Sequence, residues 1–103
     1  MKAKNTQQEK KATAALENLR KEIDRENKAL VDTLVRRSAL TKKVGQLKKR
    51  YGIDTVDRAR ERVQKKDIAA YAKRKSVSST LVRKIFRLVV DHSVSEQKRK
   101  RKK

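Results

Sequence analysis

The stretch that decides the fold is Leu16–Lys49, LENLRKEIDRENKALVDTLVRRSALTKKVGQLKK. It holds no Pro and no Gly before Gly45, and most of its residues are good helix formers. Its apolar positions are Leu16, Leu19, Ile23, Leu30, Leu34, Leu40, Val44 and Leu47, spaced mostly by three, four or their sums. That is the stripe of one long amphipathic helix. At about 1.5 Å per residue the stretch makes a rod about 50 Å long. A chain of 103 residues cannot cover such a rod alone, so part of the stripe needs a partner.

Two cations sit where the stripe wants apolar residues. Stepping by three and four from Ile23 reaches Glu26, Leu30, Thr33, Arg37, Leu40, Val44 and Leu47/Lys48. Arg37 and Lys48 lie about 20° apart around the axis and about 16 Å apart along it. A buried cation is costly unless an anion meets it. Either both side chains snorkel, with stems on the core and heads in water, or they share an anionic ligand. Arg20 lies about 25 Å before Arg37 on another face, so it cannot share that ligand within one helix.

Composition narrows the class. The length fits one domain, and 35% hydrophobic against 43% charged residues leaves little material for a core of its own. An all-α fold of three helices, one of them long, in an intertwined homodimer is the economical solution. No Cys is present, which excludes disulfides and thiol chemistry and is compatible with a cytoplasmic location. No apolar span suits a membrane, and MKAKNTQQEKK lacks the apolar core of a signal peptide. The single His92, beside Asp91, reads as a surface residue, and no metal or cofactor motif is present. The net charge of +20 predicts attraction to anions. Part of it is the run 98–103, read as a frayed basic tail that either contacts a polyanion or merely keeps the chain soluble.

Residues 1–12 read as a basic N-terminal extension, 13–97 as the helical domain and 98–103 as its tail. Thr13 is a candidate cap for the first helix, and Gly52 a left-handed stop after Tyr51. Asp54 or Thr55 would cap a second helix running to about Lys73, with Val56, Ala59, Val63 and Ala70 inward. Ser78 would cap a third, about Ser79–Gln97, with the stripe Val82, Ile85, Phe86, Val89, Val90, Ser93, Val94 and Gln97. Ser93 and Gln97 place polar groups on that apolar face, either as a helix end entering solvent or as part of a site.

Four segments in this order carry a family resemblance: LRKEID at 19–24, LVRRSALTKKVGQLKK at 34–49, DRARE at 57–61 and RKIFRLVVDHSVSEQ at 83–97. Together they resemble the all-helical (type II) chorismate mutases. The resemblance implies a cationic site for chorismate, a small dianion, and its [3,3] rearrangement to prephenate in aromatic amino-acid biosynthesis. The reaction needs no nucleophile, metal or cofactor, only positioning and charge stabilisation at the breaking ether bond. By resemblance Arg37 and Arg20 hold carboxylates, with Arg20 reaching in from the partner subunit. Lys48 and Gln97 donate to the ether oxygen, Ser93 supports a carboxylate, and Arg58 stands beside the ring. An antiparallel pair of first helices crossing near Val31 agrees: Arg20 of one is then level with the midpoint between Arg37 and Lys48 of the other.

Two positions depart from the family pattern. An acid usually follows the arginine matched to Arg58 and accepts a hydrogen bond from the substrate's ring hydroxyl; here Ala59 stands there. Some members have Asp three residues before that arginine, where this chain has Thr55. Glu61, one turn on, is not assigned the missing role. Related isochorismate-pyruvate lyases lack the same acid, so a lyase or a partner-dependent mutase of this fold is the alternative. A non-enzymatic basic helical protein binding nucleic acid is another. Under the mutase reading, deleting 98–103 is expected to leave turnover nearly intact.

Overall fold

The computed structural model describes residues 6–101. They form three α-helices and no strand: α1 (Gln7–Tyr51), α2 (Arg58–Arg74) and α3 (Ser79–Arg101). The expected all-α class with one long first helix is what the chain adopts. The chain divides into two units, Met1–Arg37 and Ser38–Lys103, and α1 runs through the division.

Within the first unit α1 begins earlier than the Thr13 cap implies. Thr6 Oγ1 accepts from the Glu9 amide at 3.1 Å, and Glu9 Oε1 accepts from the Thr6 amide at 2.8 Å. This reciprocal Thr-x-x-Glu capping box satisfies two amides that would otherwise lack partners. Thr13 instead lies inside the helix, its hydroxyl donating to Glu9 O. Residues 7–12 are therefore helical, while residues 1–5 of the expected extension lie outside those described. The stripe of this unit is uncovered, with Leu30 59% exposed and no α1 residue buried.

In the second unit α1 ends as Gly52 predicts. Gly52 has φ 65°, its amide donates to Lys49 O, and the Ile53 amide donates to Lys48 O at 2.8 Å. That is a Schellman stop, which needs a left-handed residue. α2 ends in the same way with Ser76 at φ 59°, Ser76 N donating to Lys73 O and Val77 N to Ala72 O. Ser78 caps α3 as expected, its Oγ accepting from Leu81 N.

Neither Asp54 nor Thr55 caps α2. The cap is Asp57, whose carboxylate accepts from Arg60 N at 3.0 Å. Starting the helix at Arg58 also changes its inward face. Ala72 is buried and Glu61, Gln64, Ile68 and Ala69 are half-buried, whereas Ala59, Val63 and Ala70 are exposed. α2 and α3 pack against each other through a short connection, and the expected α3 stripe is half-buried except at Ile85. α3 does not stop at Gln97. It continues through Arg101, so the described part of the basic tail is a helical turn; Lys102 and Lys103 lie outside the described residues.

The two helix stops give opposite expectations for one kind of substitution. Gly52→Ala puts a side chain into left-handed backbone and is expected to cost about 1 kcal/mol. Ser76→Gly removes that strain and is expected to gain about 0.5–1 kcal/mol. Thermal unfolding at fixed protein concentration should shift by several degrees, down for the first and up for the second.

Candidate active site

The second unit contains Lys48, Thr55, Arg58, Ala59, Ser93 and Gln97 of the residues singled out from sequence. The half-buried positions of α1 in this unit are Thr41, Gly45 and Lys48, spaced four and three residues and therefore on one face. Leu40 (61% exposed), Val44 and Leu47 lie beside that face and stay uncovered. So the face that meets α3 is not the apolar stripe but a strip of small and polar residues.

Gly45 explains why α3 approaches there. A Cβ on Gly45 would come within 2.8 Å of Gln97 Cγ, closer than side chains tolerate. The absent side chain lets Gln97 lie across α1, where its Nε2 donates to Thr41 O at 3.0 Å. Turning the amide over would set its oxygen against that carbonyl, so the carbonyl fixes its orientation. Gln97 Oε1 is buried and, among the described residues, has no hydrogen-bond partner. A buried acceptor without a donor costs about 1–3 kcal/mol, which makes this amide a group poised for a ligand.

Lys48 stands one turn beyond Gly45 on the same face. Its Nζ donates to Thr55 O at 2.8 Å, using one of three ammonium donors and leaving two. Thr55 is 8% exposed, and its hydroxyl accepts from Arg101 Nη1 at 3.0 Å. Its polar groups are thus engaged within the chain.

Ser93 and Gln97, one turn apart on α3, line a cavity of about 370 Å³ together with Gly45 and the cations Lys42, Lys49 and Lys100. Ser93 Oγ donates to Val89 O, a bond back along its own helix. Glu96 also borders this cavity; hydrogen bonding to Arg99 at 2.6 and 2.8 Å holds its carboxyl below the usual carboxylate range.

Arg58 lies elsewhere. It lines a separate groove of about 590 Å³ between α2 and α3, together with Glu61, Phe86 and Arg87. Ala59 is exposed and borders neither space. Lys48 does not line the cavity that holds Ser93 and Gln97. In the first unit Arg20 is exposed and Arg37 half-buried, both on α1.

The family model for chorismate mutase type II matches residues 19–98. The chain belongs to the type II chorismate mutase family. The family is one of isomerases, and its all-helical fold agrees with the three helices here. No curated protein matches the chain.

Family membership and the α2 cap together direct attention to residues the sequence reading passed over. The family pattern of an Asp, then an Arg three residues later, then an acid fits Asp57, Arg60 and Glu61 without a departure. The segment DRARE offers two arginines, and the doublet Arg60-Glu61 was the available signal. Asp57 and Arg60 are bonded through the cap, and Glu61 is half-buried.

The close approach at Gly45 is directly testable. Gly45→Ala is expected to keep or raise helicity, because Ala favours helix over Gly by about 1 kcal/mol. It should displace Gln97 and lower turnover of the family reaction at least about tenfold, the equivalent of about 1.4 kcal/mol. Circular dichroism and steady-state kinetics on the same preparation separate the two effects.

Proposed function

We propose that this chain catalyses the [3,3] rearrangement of chorismate to prephenate, as a homodimer, within aromatic amino-acid biosynthesis. The observation that carries the reading is the family match over 19–98, which spans every candidate from Arg20 to Gln97. Lys48 and Gln97 supply donors to the ether oxygen, where negative charge develops as the bond breaks. Arg37 and the partner's Arg20 bind carboxylates, and Ser93 supports one of them. Holding both carboxylates in a compact geometry removes much of the entropic part of the barrier, with no covalent intermediate.

At the second helix we propose Asp57, Arg60 and Glu61 in place of Thr55, Arg58 and Ala59. Support comes from the Asp57 cap, from the half-buried Glu61, and from Thr55 being already bonded to Lys48 and Arg101. Glu61 then accepts from the ring hydroxyl. The lyase alternative rested on a missing acid, so this register removes its main support. Loss of one such contact costs about 1–3 kcal/mol, or about one to two decades in rate. Arg60→Ala and Glu61→Ala are expected to fall by that much in kcat/KM, with Arg58→Ala within about threefold of the parent. The product decides the reaction: prephenate from chorismate is expected, and pyruvate from isochorismate would favour the lyase.

The homodimer is supported by the uncovered α1 stripe. Leu16, Leu19, Ile23, Leu30, Leu34, Leu40, Val44 and Leu47 are all roughly half exposed. Covering the rest of each is worth about 1 kcal/mol, or about 16 kcal/mol over two chains. Association costs about 4–15 kcal/mol, so the stripe is of the right size to drive pairing. Two chains of net charge +20 also repel, and salt screens that repulsion. Dimerisation is therefore expected to tighten between about 0.05 and 0.5 M salt, whereas polyanion binding weakens over the same range. Analytical ultracentrifugation across that series separates the dimer from a nucleic-acid-binding function for the charge.

A further inference from the structure

The last turn of α3 lies outside the matched family domain and yet touches the loop that holds Lys48. Arg101 is half-buried, whereas Lys98, Arg99 and Lys100 are exposed. Its guanidinium donates through Nη1 to Thr55 Oγ1 at 3.0 Å and through Nη2 to Ile53 O at 2.6 Å. These acceptors sit two residues apart in the segment 52–57, and a planar fork meets both at once, which an ammonium does not. The same segment takes Lys48 at two points: Ile53 N donates to Lys48 O, and Lys48 Nζ donates to Thr55 O. Thr55 is thus gripped from both sides, by Lys48 at its carbonyl and by Arg101 at its hydroxyl.

We infer that Arg101 is a positioning residue for Lys48, acting through Thr55, so that the end of the basic tail is part of the support of the site. The expectation that residues 98–103 are dispensable for turnover is revised accordingly. A lysine side chain has about four rotatable bonds and little preference among their rotamers. Fixing the Thr55 carbonyl gives the ammonium one anchor and aims the two remaining donors. Without Arg101 the segment 52–57 keeps its Schellman stop but loses its tie to α3, and the anchor moves with it. The catalytic part of this inference rests on Lys48 serving the reaction proposed above; the clamp itself does not.

The test combines kinetics with a direct view of the ammonium. Arg101→Ala and Arg101→Lys are compared with Lys98→Ala, which removes the same charge from an exposed position. With chorismate as substrate, Arg101→Ala is expected to lower kcat about tenfold with KM changed less than about threefold, and Arg101→Lys to recover only part. In a Lys48→Ala background Arg101→Ala should add no further loss, because the residue it positions is gone. Lysine-ammonium ¹H–¹⁵N spectra should show a Lys48 signal in the parent and in Lys98→Ala that Arg101→Ala broadens away. An unchanged Lys48 signal in Arg101→Ala overturns the clamp. A lost signal with unchanged kcat overturns the positioning role. A lost signal in a protein whose parent turns over no chorismate upholds the clamp and rejects the proposed reaction instead.

Discussion

The structure depends on a mismatch between a helix and the chain that carries it. α1 takes 45 of 103 residues, yet none of them is buried. α2 and α3 satisfy each other, with Ala72 at 4% exposure as the apolar residue most fully buried. Their sequences are too charged to do more, and an aromatic content of 3% supplies few large side chains to extend the core. A long uncovered stripe on a chain of net charge +20 is a strong apolar demand opposed by a strong electrostatic one. A second copy meets the demand with the same residues, and small dianions held at the crossing offset part of the repulsion. On this account the dimer and the site are one solution.

The site's chemistry follows from what it offers. Lys48 and Gln97 keep donors free after meeting their backbone partners, and the Gln97 oxygen is left buried without one. An arrangement of fixed cations and neutral donors stabilises charge that moves within a substrate, and that is what a pericyclic rearrangement requires. Gly45 is the geometric condition for it. Any side chain there pushes Gln97 from α1, so a residue that weakens a helix interior is kept where the amide must lie flat.

Much of the fold was legible because helix periodicity and stop signals are local. Gly52 and Ser78 were readable as terminators and caps, and the α3 stripe from Val82 to Gln97 was readable from its spacing. The misreadings share one cause: several cap-competent residues stood close together, and context chose among them. Thr6 prevails over Thr13 because Glu9 closes the box with it. Asp57 prevails over Asp54 and Thr55 because the segment 52–57 is spent on the Gly52 stop and on holding Lys48 and Arg101. Reading the helix start too early then shifted the inward face of α2 and matched the family arginine to Arg58 instead of Arg60. The role of Arg101 was hidden by its setting in a run of six basic residues, where nothing local separates one bonded arginine from its solvated neighbours.

The central claim is that each site draws Arg20 from one subunit and Lys48 from the other, and subunit mixing tests it most directly. Arg20→Ala and Lys48→Ala proteins are each expected to be nearly inactive. After mixing in equal amounts and allowing exchange, half the dimers are mixed, and each mixed dimer has one intact site. Chorismate turnover should return to about a quarter of the parent value, a figure that follows from random pairing of subunits. Demonstrated subunit exchange with no return of activity would contradict the shared site, and with it the account of why α1 is longer than its own chain can cover.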